Sequence, residues 1–120
     1  MLRGVALFSL FYDVSAGIAL GFLRGELQTS IGLQPSQPAI YADLNAIFVT
    51  CVGMGYLLPY RDPVRYRAYL WMFGVVLKIA GAAAFALDHV IRGSAPSFLI
   101  FAAADAAIAA VTLVALARGD

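Results

Sequence analysis

The chain has 120 residues, 62% of them hydrophobic and 12% charged, with a mean hydropathy of +0.87; soluble domains carry about 45 to 50% apolar residues. This is the composition of a membrane protein. A net charge of +1 spread over scattered basic residues excludes nucleic acid as a partner, because phosphate binding needs a clustered basic face. One cysteine, Cys51, excludes an internal disulfide and any Cys-x-x-Cys site. One histidine, His89, excludes a bis-histidine haem and a His-rich di-iron centre.

Cutting the chain at its charges and at its Pro and Gly clusters leaves four apolar segments, 4–23, 44–60, 68–87 and 98–117. Each is close to the roughly 20 residues that cross the hydrocarbon core. The first begins with Met-Leu-Arg like a leader peptide. Asp13 interrupts its apolar run and no Ala-x-Ala site follows, so it reads as a retained helix. The second is short and ends at Pro59 and Tyr60, where aromatic and arginine flanks extend its reach to the interface.

The connections differ in kind. Residues 24–43, "RGELQTSIGLQPSQPAIYAD", form a long loop over the bundle mouth with room for one interfacial turn around Ile31-Gly32-Leu33. "RDPVRYR", 61–67, is a tight turn set by Asp62-Pro63. "DHVIRGSAPS", 88–97, ends the third helix through Gly93, and Ser94 or Ser97 is the expected cap of the fourth. Basic residues in short loops stay on the cytoplasmic side. Arg3, Arg61, Arg65, Arg67 and Arg118 fall on one side, Arg24 and Arg92 on the other, which places both termini in the cytoplasm.

Three ionisable residues lie inside the apolar segments. At about 1.5 Å rise per residue, Asp13, Lys78 and Asp105 fall in one layer about 5 Å thick. A charge at mid-bilayer costs about 2.5 to 3.5 kcal/mol, so these groups are expected to face one another or water. Their neighbours at helical spacing agree. Ser9, Asp13, Gly17 and Gly21 share a face, and Gly17 to Gly21 is a GxxxG. Trp71, Gly74, Lys78, Gly81 and Phe85 form a second stripe. Asp105, Ala109 and Thr112 form a third, beside a seam of Ala102, Ala106 and Ala110. The candidate ligand or proton site is therefore Asp13, Lys78, Asp105, Thr112 and Ser9.

Two readings of this cluster stand. In one, Lys78 pairs with Asp13 or Asp105 and fixes which helices touch. In the other, two carboxylates against one ammonium leave an excess negative charge that a proton, cation or ligand completes.

The remaining constellations carry less. Tyr41, Asp43, Asn45, Asp88 and His89 converge near the outer mouth; three oxygen donors and an imidazole suit a metal, but their spacing matches no metal pattern, and a hydrated rim is the simpler reading. Cys51 beside Thr50 reads as small packing. Gly53-Met54-Gly55 lacks the third glycine and the strand–helix context of a nucleotide fingerprint. Tyr56, Tyr60, Tyr66, Tyr69 and Trp71 read as an interfacial belt. No Ser-His-Asp arrangement can be built, so a non-catalytic role is expected.

The order of these features resembles the DoxX-like superfamily of small bacterial four-helix membrane proteins and its relatives. The residues that carry the resemblance are "DLNAIFVTCVGMGYLL", the turn "RDPVRYR", a basic residue in helix 3 and an acidic one in helix 4. On that resemblance Asp43 and Gly53-Met54-Gly55, Lys78 and Asp105 match the family's pattern, while Asp13 has no counterpart. It implies a bacterial inner-membrane protein, either an accessory membrane protein or one associated with quinone-linked sulfur oxidation. Small multidrug transporters share the size and a helix 1 carboxylate, but their helix 3 signature is absent and Lys78 would neutralise the cation site.

The sequence thus predicts an all-α, four-helix transmembrane bundle forming a single domain over 1–120. The expected function is a small accessory or structural subunit, in a homo-oligomer or a larger membrane complex. The alternative is a proton-coupled carrier, or a binder of a quinone or other lipid-soluble ligand. No cofactor is required by the residues, and the lipid bilayer is the surrounding partner.

Overall fold

The computed structural model describes residues 1–33 and 39–119, and the Gln and Pro positions at 34–38 of the expected outer loop lie outside them. Among the described residues all regular structure is helical. Four helices are long and apolar enough to cross a membrane: α1 (Leu2–Phe22), α3 (Ile40–Arg61), α4 (Arg67–Arg92) and α5 (Pro96–Arg118). A short helix, α2 (Arg24–Ile31), sits between the first two.

The spans keep the predicted order but run longer than the apolar segments. The second starts at Ile40 rather than 44, because Asp43 falls in its first turn, where a carboxylate meets the positive end of the helix dipole, and is held by Arg24. The third continues through 88–92, an expected loop, with Arg92 reaching back to Asp88 at i,i+4. It stops at Gly93, whose φ of 71° only glycine adopts readily. The single expected turn in 24–33 is a two-turn helix closed by Gly32 at φ 75°.

Neither Ser94 nor Ser97 caps the last helix. Ser97 Oγ donates to Ile31 O at 2.6 Å, tying α2 to the start of α5.

Between helices in lipid there is no water to expel, so close packing of small residues carries association. α1 and α3 run antiparallel and nearly touch. A β-carbon on Gly17 would meet Thr50 N at 2.9 Å and Ala46 O at 3.0 Å, and one on Gly53 would meet Asp13 Cβ at 2.9 Å. α4 and α5 pair in the same way, with Gly74 against Thr112 and Gly81 against Asp105. Tyr69 joins α3 to α4, its ring lying against Gly55 and its hydroxyl donating to Val52 O. Contacts between α1 and α5 close the bundle.

Three layers stack along the bundle. An apolar layer of Leu2, Val5, Ala6, Val52, Leu70, Val75, Ala115 and Leu116 fills the arginine-rich end. Above it lie the buried polar residues Ser9, Asp13, Lys78 and Thr112. Phe85, Phe98 and Phe101 form an aromatic layer toward the other end. Most large apolar side chains, among them Phe8, Phe11, Phe22, Ile47, Val90 and Ile100, point outward, as lipid contact requires.

The arginine-rich end is itself organised. Arg3 donates to Tyr60 O at 3.2 Å and Arg61 O at 3.4 Å, Arg67 donates to Leu116 O, and Asp62 Oδ1 accepts from Arg65 N at 3.1 Å inside the tight turn.

Candidate functional site

The polar layer is built around one ion pair. Lys78 Nζ donates to Asp13 Oδ1, and both residues are buried, at 6% and 2% exposure. The pair connects α1 to α4, which lie across the bundle from each other. The ammonium also lies 5.2 Å from the centre of the Tyr12 ring, a cation–π contact. Gly53 gives Asp13 its place, since α3 comes so close there that no side chain fits between them.

Asp105 is not the partner of Lys78. It lies within electrostatic range of both Lys78 and Asp13, but makes no ion pair or hydrogen bond among the described residues. Its carboxylate instead occupies the space that glycine leaves at Gly81, with Oδ2 2.7 Å from where a β-carbon would stand. Shared depth brings the two acids into one layer, and helix rotation then decides between them. The layer therefore holds one satisfied charge pair and one half-buried carboxyl group beside it.

Thr112 also departs from its expected role. It is fully buried, but its Oγ1 donates to Ile108 O at 2.7 Å in its own helix, and its methyl group packs toward Gly74. A threonine hydroxyl in a lipid-embedded helix is satisfied most cheaply in this way. Ser9 does not follow that pattern. Its Oγ is fully buried and makes no hydrogen bond of normal geometry among the described residues, and the same holds for Asp13 Oδ2 and the Tyr56 hydroxyl.

Tyr56 is packed in the apolar layer where it meets the polar one, and not in an interfacial belt. It is fully buried, edge-on to Tyr69 at 5.1 Å, and lies beside Ser9 without a hydrogen bond of normal geometry. The signal for it in the sequence is its spacing of three from Gly53, which puts both on the α3 face against α1. Tyr12 escapes sequence reasoning for the opposite reason, as a half-exposed ring whose inner face covers Lys78.

Trp71 leaves the predicted Lys78 stripe and is exposed. The chain between them, Leu70–Val76, is π-helical, and the wider i→i+5 turn rotates residue 71 off the face that carries Gly74 and Lys78. Phe85 turns to the aromatic layer instead.

Between α1 and α5 a groove of about 450 Å³ opens on the outer surface, lined by Phe8, Ser9, Tyr12, Ala104, Ala107 and Ile108. Its wall is almost entirely apolar, and Ser9 and Tyr12 are the residues that connect it to the polar layer.

The outer-mouth residues do not assemble. Asp43 pairs with Arg24 at 2.6 Å and Asp88 with Arg92 at 3.1 Å; His89 Nδ1 lies 2.7 Å from Ser94 O, and Tyr41 and Asn45 are exposed. No group of three His, Cys, Asp or Glu side chains suited to a metal occurs among the described residues. Each acid has a neighbouring arginine on its own side of the molecule, so local pairing wins over convergence. Comparison with protein-family models, curated proteins and solved structures gave no match.

Proposed function

We propose that this protein is a small non-catalytic subunit of a membrane assembly, formed with itself or with a larger complex, and that the Asp13–Lys78 pair is its internal register device. The observation that carries the reading is that the pair closes on itself. Lys78 spends its charge on a contact between α1 and α4 rather than presenting it to an open cavity.

Such pairs seldom add net stability, but they penalise every arrangement that leaves one member alone by about 3 to 5 kcal/mol. On the outside, Ala106 and Ala110 on α5 stay exposed, and small residues of this kind let a second helix approach closely. The clustering of Arg3, Arg61 and Arg67 contacts at one end supports cytoplasmic termini in a bacterial inner membrane, in line with the DoxX-like resemblance.

Native mass spectrometry of the protein gently extracted from its own membrane tests the proposal. A stable oligomer or larger complex without a small molecule is expected. A monomer that retains a lipid-soluble molecule would overturn it.

That second outcome would favour the other reading, a hydrophobic-ligand or proton-coupled protein. The groove between α1 and α5 and the unpaired Asp105 are the observations behind it. In that reading a quinone-like or lipid molecule lies along Phe8 and Ala107 with its polar end toward Ser9 and Tyr12.

A further inference from the structure

Three buried oxygens without a hydrogen bond of normal geometry among the described residues belong to neighbouring side chains, since Tyr56 lies within range of both Ser9 and Asp13. Ser9 and Asp13 are one turn apart on the same face of α1, and Tyr56 comes from the antiparallel helix α3. The pairing of the two helices is fixed by their closest approaches, Gly17 against Thr50 and Gly53 against Asp13. Continuing that register by one turn sets Tyr56 opposite Ser9. All three residues are at least 98% buried, and Ser9 Oγ, Asp13 Oδ2 and the Tyr56 hydroxyl each lack a hydrogen bond of normal geometry among the described residues.

Buried polar atoms are rarely left unmatched, and each one costs about 1 to 3 kcal/mol when it is. Ser9 had a local alternative. Thr50 donates to Ala46 O and Thr112 to Ile108 O, whereas Ser9 makes no such bond to its own helix and lies beside the Tyr56 hydroxyl.

We propose that Ser9, Asp13 and Tyr56 hold one buried water molecule. The inventory of donors and acceptors fits it: the two hydroxyls each have a proton to give, and Asp13 Oδ2 has a lone pair to fill. A water that accepts from Ser9 and Tyr56 and donates to Asp13 Oδ2 makes three hydrogen bonds, the usual number for a buried water.

A monovalent cation fits less well. Lys78 already neutralises the Asp13 carboxylate through its other oxygen and would repel a second cation. Three oxygens are also too few to replace a cation's hydration shell. With the water in place both Asp13 oxygens are satisfied, one by Lys78 and one by water. This makes the ion pair part of a network that joins α1, α3 and α4, and it holds whichever function the bundle serves.

Crystals grown from a lipid mesophase, at a resolution that reveals ordered waters, test the proposal. The expected result is one isolated density peak at about 2.8 Å from each of the three oxygens. It should be absent from a Ser9→Ala/Tyr56→Phe double variant in which Lys78 still meets Asp13. A Tyr56 hydroxyl bonded directly to Ser9 or Asp13 with no peak between them would overturn the water. An anomalous signal at that point after soaking in thallium(I) would overturn it in favour of a cation. Should the double variant not fold, the unmodified protein still decides among the three.

Discussion

Asp105 Oδ2 lies 2.7 Å from the point where Gly81 would carry a β-carbon, so the carboxylate of α5 fills the notch that glycine leaves in α4. The same absence of a side chain serves a different purpose at Gly17, where the neighbours are the Thr50 hydroxyl and, with it, the backbone atoms Thr50 N and Ala46 O, which cannot turn aside. Both glycines mark close approach, but only one of the neighbours can move.

That difference predicts opposite outcomes for two alanine substitutions. Gly81→Ala should leave the fold intact, because the Asp105 carboxylate can rotate away. Gly17→Ala should separate α1 from α3 and cost about 1 to 3 kcal/mol, as overpacking of tight contacts does. Reversible unfolding in mixed micelles would compare them, and equal losses would contradict the assignment of Asp105 to the notch.

Arg67 and Arg92 should also separate. Arg67 donates to Leu116 O and joins the start of α4 to the end of α5 from a partly buried position. Arg67→Ala should cost about 1.5 to 3 kcal/mol, the range for hydrogen bonds from charged groups. Arg92 pairs with Asp88 on an open surface with its side chain 82% exposed, so Arg92→Ala should change stability by less than about 0.5 kcal/mol.

The four spans are legible in the sequence because hydropathy and length suffice for them, and Gly93 and Asp62 mark real ends. The boundaries are not, since Asp43 and Asp88 read as breaks while arginines nearby let both stay in helix. The polar layer is legible as a depth, from Asp13, Lys78 and Asp105. Its pairing is not, because rotation about each helix axis depends on packing. The π-turn at Leu70–Val76 leaves no mark in the hydrophobic pattern, and it carries Trp71 out of the expected stripe. Tyr56 looks interfacial because tyrosine near a span end usually is. Its burial follows from Gly53, which draws α1 over it.

Cys51 gives a test of the surroundings. It is exposed on α3, in a span where the outward residues are apolar. In bilayers a membrane-impermeant maleimide should label it far more slowly than a lipid-soluble one of similar reactivity, and the difference should shrink once the protein is unfolded in denaturant. Equal rates in the bilayer would place this face of α3 in water.

The most direct test of the Asp13–Lys78 pair as the centre of the bundle is a double-mutant cycle in bilayers with Asp13→Leu and Lys78→Met. Each single variant should lose about 3 to 5 kcal/mol by leaving its partner's charge buried and alone, and the double variant should recover most of that loss. If the two losses simply add, the pair does not couple α1 to α4, and Lys78 is not the residue that sets the register of the bundle.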